Sequence, residues 1–368
     1  MAGPILTIVG ARPNFMKAAP IHRAYEQAGV PHELIHTGQH YDDAMSKVFF
    51  DDLGMPKPSV YLGVGSASHA VQTATVMIGL EKVFLEKKPR MVLVVGDVNS
   101  TMAAALVASK LLIPVAHVEA GLRSRDWTMP EEVNRVVTDS VSDLLLTPSP
   151  DADENLLAEG KPKERIRCVG NVMIDTLFMH LPRAKALDVP AQMGLVPGQY
   201  GILTLHRPSN VDDAPTFERI ISALLYVQER TPLVFPVHPR TRARLSTFDL
   251  GRKLEAAPNI KLVEPLGYLE FMSLVSRSRF CLTDSGGLQE ETTALGIPCL
   301  TLRENTERPI TVEEGTNTVV GTDARRIREE ADRILTSGGR AGRVPALWDG
   351  KASERIVQAT LQFLNARS

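Results

Sequence analysis

The chain has 368 residues, with 41 Lys and Arg against 43 Asp and Glu, and a formal net charge of -2. That balance leaves no basic footprint for nucleic acid or an anionic membrane, so any phosphate binding is local. The length exceeds the roughly 250 residues that one hydrophobic core usually holds, so two domains are expected. Cys168, Cys281 and Cys299 are too scattered for a disulfide framework or a zinc site.

The chain opens directly on an apolar run, Ile5 to Val9, with Arg12 close behind, which is no signal peptide. No apolar run approaches the ~20 residues that span a bilayer. A cytoplasmic protein with no nucleic-acid or membrane partner is expected. Strands are read near 5–9, 33–37, 91–95, 114–118, 143–147 and 165–169, with helices near 14–28, 42–53, 69–87, 99–111, 131–141 and 151–159. A second set of strands follows near 201–205, 233–237, 260–263, 279–283 and 297–302, with helices near 214–229, 267–276, 286–295 and 323–336. Between the sets, 187–199 holds Pro190, Gly194, Pro197 and Gly198 and reads as a linker. Alternation of strand and helix predicts an α/β chain with parallel sheets. The expected domains are 1–186 and 200–350, both Rossmann-like and facing a cleft, and 353–364 reads as a final amphipathic helix.

Ligands of such sheets bind beyond the carboxyl ends of the strands. Gly10-Ala11-Arg12-Pro13-Asn14 follows the first strand, with Lys17 a turn later; Arg12 and Lys17 are either phosphate ligands or a solvated first turn. Neither GxGxxG nor a P-loop occurs, so no nicotinamide cofactor or ATP is signalled. Asp97 and Glu119 follow two strands, and adjacent strands would hold their carboxylates roughly 5–10 Å apart. Paired carboxylates can divide into proton donor and acceptor. Glu131 and Glu132, after Pro130, add acid at a helix start, where capping is the plainer reading. His206, at another strand end, is either an acid–base group or a hydrogen-bonding surface residue. Asp284-Ser285-Gly286-Gly287 breaks a strand before a helix, with Ser285 at its N-cap. It is either an ordinary connection or a diphosphate site, and Thr306-Glu307-Arg308-Pro309 favours the latter by placing a loop Arg nearby. His and Cys spacings predict no metal.

Taken in order, GARPNFMK, HTGQHYDDAMSKVFF, GDVNST, HVEAGLRSRDWTMPEEVNR, VGNVMID, LHRPSN, HPRTR, TDSGGLQEE and TERPITVEEGTN resemble the UDP-N-acetylglucosamine 2-epimerase family over nearly the whole chain. The resemblance implies the two-domain glycosyltransferase-B fold with the C-terminal helix, 351–368, packing back on the first domain, a homodimer, and inversion of the sugar's C2 through 2-acetamidoglucal and UDP, with no cofactor or metal. It implies an acid–base set of Asp97, Glu119 and Glu131, with His206 near sugar and phosphates. It further implies UDP-sugar contacts from Arg12, Lys17, Arg207, Ser285, Gly286, Gly287, Glu291 and Arg308, with Glu291 on the ribose and Arg308 on phosphate. A hydrolysing relative releasing ManNAc and UDP, and a UDP-sugar glycosyltransferase of the same fold, are the alternatives. Many members read His-Arg-x-Glu-Asn where this chain has His206-Arg207-Pro208-Ser209-Asn210. Members activated by their own substrate carry Gln-x-x-Gln where this chain has Gln39 and Asp42, so the resemblance stops short of that activation. The loop LRSRDWTMP is the shorter form shared with relatives acting on a diacetamido-uronic acid.

Overall fold

A computed structural model describes residues 3–38, 54 and 57–367, the side chains of Arg12 and Pro13 excepted. The helix expected near 42–53 lies outside the described residues, as do Gln39 and Asp42. The chain divides into two compact units, Met1–Phe178 with Ala346–Ser368, and Met179–Pro345.

In the first unit the order is β1 (Ile5–Val9), α1 (Arg12–Gln27), β2 (His32–His36), β3 (Val60–Tyr61), α2 (His69–Lys87), β4 (Met91–Val95), α3 (Asn99–Lys110), β5 (Val115–Val118), α4 (Pro130–Val141), β6 (Leu144–Thr147), α5 (Pro150–Ala158), β7 (Ile166–Cys168) and the start of α6 (Val172–Leu187). The strands form one parallel sheet ordered β3-β2-β1-β4-β5-β6-β7. Runs such as Met91-Val92-Leu93-Val94-Val95 are buried throughout, as expected of parallel strands covered on both faces. On one face Ile21, Ala24 and Tyr25 of α1 pack over Met91, Leu93 and Val95; on the other Val76, Leu80 and Phe84 of α2 pack over Ile8, Val92 and Val94.

The second unit holds α7 (Val189–Gln192), β8 (Gly201–Thr204), α8 (Pro208–Val211), α9 (Ala214–Val227), β9 (Leu233–Pro236), α10 (Pro239–Thr247), α11 (Gly251–Glu255), β10 (Ile260–Val263), α12 (Tyr268–Val275), β11 (Phe280–Thr283), α13 (Gly286–Leu295), β12 (Cys299–Thr301), α14 (Pro309–Glu313), β13 (Asn317–Val319) and α15 (Ala324–Ser337). Its parallel sheet runs β10-β9-β8-β11-β12-β13. Gly201 is needed in β8, because a Cβ there would meet the Phe280 ring at 2.8 Å.

Finally α16 (Ala352–Asn365) rejoins the first unit. Its first N–H groups, at Ala352 and Ser353, donate to Asp175 of α6 at 3.0 and 2.7 Å, so a carboxylate holds the helix's positive end. Further along, the hydroxyls of Thr360 and Tyr25 bond at 2.7 Å, and Ile356 and Val357 join the core beneath α1. The C-terminal helix therefore packs back on the first unit, as the fold class requires.

The stretch around the expected linker differs from the sequence reading. Helix α6 runs through Pro182, a residue that reads as a breaker. Stretch 187–199 carries α7 and is hydrogen-bonded within the second unit, with Val189 N donating to Ser273 Oγ at 3.1 Å and Gly198 N to the Arg277 carbonyl at 2.8 Å. Among the described residues no helix is long and apolar enough to cross a membrane.

Candidate active site

Both sheets reverse their strand order once, and such switch points are where open α/β sheets take ligands. In the first unit the reversal falls between β1 and β4, in the second between β8 and β11. The residues singled out in the sequence cluster at these two places.

In the first unit Asn14 closes the loop after β1. Its Oδ1 accepts from the N–H groups of Gly10 and Ala11 at 3.2 and 3.0 Å, and its Nδ2 donates to the Val95 carbonyl of β4 at 2.8 Å. Lys17, a turn further, is buried with its ammonium against the Glu119 carboxylate. It is not the solvated first-turn cation that one reading of the sequence allowed. Strands β4 and β5 are neighbours in the sheet, Val95 opposite Val118, so Asp97 and Glu119 leave adjacent strand ends as expected. Asp97 is ion-paired with Arg135 at 2.6 Å, and Arg135 also reaches Glu132 at 2.7 Å.

Of the two acids after Pro130, Glu132 is the buried one and Glu131 the half-buried one. Glu132 accepts from the N–H groups of Ser124 and Arg125 at 3.0 and 2.8 Å, which fastens the 121–130 loop to α4. Burial pushes its carboxyl up, but those two N–H groups and Arg135 more than offset this and leave it below the usual range. Glu119 itself stands at φ 74°, a left-handed backbone rare outside glycine, which costs of order 1–3 kcal/mol and clusters at functional sites. Gly96, at φ 70°, is where the groups converge: a Cβ there would lie 3.3 Å from both Glu119 Oε2 and Lys17 Nζ.

In the second unit Asp284 organises the switch point. Fully buried, it accepts through Oδ2 from the N–H groups of His206 and Arg207, both at 2.9 Å, and from Asn210 Nδ2 at 3.2 Å. Its Oδ1 lies 2.8 Å from His206 Nδ1. Burial raises the Asp284 carboxyl, and His206 with the two backbone donors outweighs that and holds it low. An ionised Asp284 keeps a proton on His206 Nδ1, which leaves Nε2 of this partly exposed ring as the nitrogen open to a ligand.

Ser285 occupies the N-cap of α13 as expected, although its side chain makes no capping bond. A Cβ on Gly287 would meet nothing within 4 Å, so the N-terminus of α13 is open there. Gly286 is closed: Arg308 lies against it, with Nη1 2.5 Å from where a Cβ would be. Arg308 is held by Glu290 at 2.7 Å and Glu307 at 2.6 Å, while Arg303 reaches Glu307 at 2.8 Å and Arg207 approaches it at 3.8 Å. Glu291 is buried and accepts from the Tyr268 hydroxyl at 3.0 Å. Burial pushes its carboxyl up to about 7, with Tyr268 opposing and Glu290 adding to the rise.

Sequence reasoning therefore named the residues at the strand ends and missed most of what holds them. Arg135 and Glu290 lie on helices where charge reads as solvated surface, while Glu132 and Glu307 were singled out only as neighbours of Glu131 and Arg308. A usable signal was present in the Glu132–Arg135 spacing of three, which puts both on one helix face. The side chain of Arg12 lies outside the described residues.

Residues 22–361 match the protein family described as UDP-N-acetylglucosamine 2-epimerase. The chain is 44% identical over 356 residues to a Methanocaldococcus jannaschii protein named UDP-N-acetylglucosamine 2-epimerase, covering 95% of this chain and 97% of that one. It is 43% identical over 336 residues to the Pseudomonas aeruginosa UDP-2,3-diacetamido-2,3-dideoxy-D-glucuronate 2-epimerase, covering 90% and 92%. Among solved structures, M. jannaschii UDP-GlcNAc 2-epimerase in complex with UDP-GlcNAc and UDP superposes with a TM-score of 0.89 at 44% identity, over 98% of this chain and 99% of that one.

Proposed function

Because the chain belongs to the UDP-N-acetylglucosamine 2-epimerase family, we propose that it interconverts UDP-GlcNAc and UDP-ManNAc without hydrolysis. The sugar loses its C2 proton as the C1–O bond to UDP breaks, leaving 2-acetamidoglucal with a C1=C2 double bond. UDP then re-adds at C1 while a proton returns to the opposite face of C2. Two acid–base groups are needed, one per face, together with charge to stabilise the departing diphosphate.

The observation that carries this reading is the pair of carboxylates at the adjacent ends of β4 and β5, beside the first switch point, each with a cation: Asp97 with Arg135 and Glu119 with Lys17. Asp97, Glu119 and Glu131 form the acid–base set, with His206, oriented by Asp284, beside the sugar and phosphates. The UDP side falls to Arg12, Arg207, Ser285, Gly286, Gly287, Glu291 and Arg308. The open turn at Gly287 suits a phosphate, and Arg308 exchanges Glu290 or Glu307 for it. Lys17 serves Glu119 and the diphosphate in turn. Residues 1–186 thus supply the carboxylates together with Arg12 and Lys17, and 200–350 supply His206 and the other UDP contacts. The enzyme acts as a homodimer: α2 exposes Val71, Ile78 and Leu85 at 57, 60 and 59%, a seven-residue spacing that lines one helix face for a second copy.

Proton NMR in D2O with UDP-GlcNAc tests the reaction. Deuterium at C2 of both UDP-GlcNAc and newly formed UDP-ManNAc is expected. Free ManNAc with UDP would replace the proposal by hydrolysis. No exchange with UDP-GlcNAc, but exchange with the UDP-diacetamido-uronic acid, would move the substrate and keep the chemistry.

A further inference from the structure

Behind the first switch point lies a charged pair that the proposed chemistry does not use. His117 of β5 and Asp139 of α4 are both fully buried, with His117 Nδ1 2.6 Å from Asp139 Oδ1. The other ring nitrogen, Nε2, faces the Gly96 carbonyl at 2.8 Å. The second carboxylate oxygen, Oδ2, accepts from the Gly121 N–H at 3.1 Å and pairs with Arg123 at 2.7 Å.

A carbonyl oxygen cannot donate, and a carboxylate that receives an N–H and a guanidinium is ionised and only accepts. Burial raises the Asp139 carboxyl, while His117 and Arg123 outweigh burial and hold it below the usual range. Both His117 nitrogens thus face acceptors, and hydrogen-bond accounting requires a proton on each. One end of this chain of contacts grips Gly96, the residue before Asp97. The other grips Gly121, two residues after Glu119. These are the same two turns that carry left-handed backbone, φ 70° at Gly96, 74° at Glu119 and 81° at Gly121.

We propose that His117 and Asp139 are positioning residues, a buried imidazolium–carboxylate pair that sets the distance between Asp97 and Glu119. The pair touches no substrate; it holds two otherwise separate loops to one geometry. This rests on the reading of Asp97 and Glu119 as the acid–base groups.

The wild-type protein with nitrogen-15-labelled histidine gives the first test at neutral pH. One of the nine histidines is expected to show protons on both ring nitrogens and to vanish in His117→Gln. A spectrum with no doubly protonated histidine overturns the proposal, whether or not any variant folds. Kinetics give the second test. Asp139→Asn keeps the shape of the side chain but has one acceptor oxygen where the carboxylate has two, so it cannot accept from both His117 Nδ1–H and the Gly121 N–H. It should cut kcat for deuterium exchange ten- to a hundredfold, the cost of roughly an ångström of misplacement. KM should stay within about twofold and UDP affinity unchanged, a split that general destabilisation would not give. Asp97→Asn runs beside it. If Asp97→Asn exchanges at the wild-type rate, the underlying acid–base reading fails. If Asp97→Asn is silent while Asp139→Asn keeps full kcat, the positioning proposal alone fails.

Discussion

Replacing Glu291 by glutamine should flatten the pH dependence of the second unit's stability. The Glu291 carboxyl, ordinarily near 4.5, is pushed by burial to about 7. At about 1.4 kcal/mol per pH unit, that rise corresponds to about 3 kcal/mol of cost for holding the ionised form in the fold. Between the two values the folded protein keeps a proton that the unfolded chain has lost. Stability from this residue is therefore full near pH 4.5, falls as pH rises towards 7, and is level beyond. Glutamine has nothing to ionise, so the variant lacks the decline, and the gap between the two proteins should shift by about 3 kcal/mol across the window. An unpartnered amide hydrogen would cost about 1–3 kcal/mol, but equally at every pH, so the slope carries the test. Urea titrations read by hydrogen exchange in peptides spanning β11 and α13 report this unit directly. Parallel stability curves for the two proteins would refute the argument that burial dominates Glu291. The same variant should bind UDP more weakly at alkaline pH if the carboxylate receives the ribose hydroxyls.

Asp284→Asn should lower kcat about a hundredfold, because a neutral amide no longer fixes the proton on His206 Nδ1; pre-steady-state kinetics with circular dichroism would check rate and fold together. Lys17→Met removes the ammonium paired with the buried Glu119 carboxylate, so stability should drop by about 3–5 kcal/mol, and Lys17→Met with Glu119→Gln should recover much of it in a double-mutant cycle. Ile78→Lys on α2 should shift sedimentation towards the monomer at unchanged thermal stability; an unaltered dimer would place the interface elsewhere.

Much of the fold was legible because parallel strands buried on both faces leave unbroken apolar runs, such as 91–95 and 280–283. Helix α6 was not, since Pro182 punctuates it and α16, whose N-terminus its Asp175 caps, lies far along the chain. Strand β13, with Asn317, Thr318 and Val319, carries too little apolar pattern to announce itself. In the site, Asp97, Glu119, His206 and the Asp284–Gly287 turn could be found because strand ends are where ligands sit. What holds them could not be found this way. The pairing of His117 with Asp139 depends on through-space approach between strand and helix, and that of Arg308 with Glu290 on approach between a loop and a helix, neither of which sequence spacing reports. Lys17 shows the limit: its position beside a helix start was evident, its burial against Glu119 was not.

The return of α16 has a consequence for synthesis. The core beneath α1 takes Ala352, Ile356, Val357 and Ala359 from the far end of the chain. While a ribosome is still making the second unit, the first therefore has its sheet and most of its helices, but one flank stays uncovered around Tyr25 and Ile21. The second unit, contiguous from 179 to 345, has all its parts before that flank is closed. The half of the molecule made first is thus the half completed last, and its exposed apolar flank is where a nascent-chain chaperone would be needed.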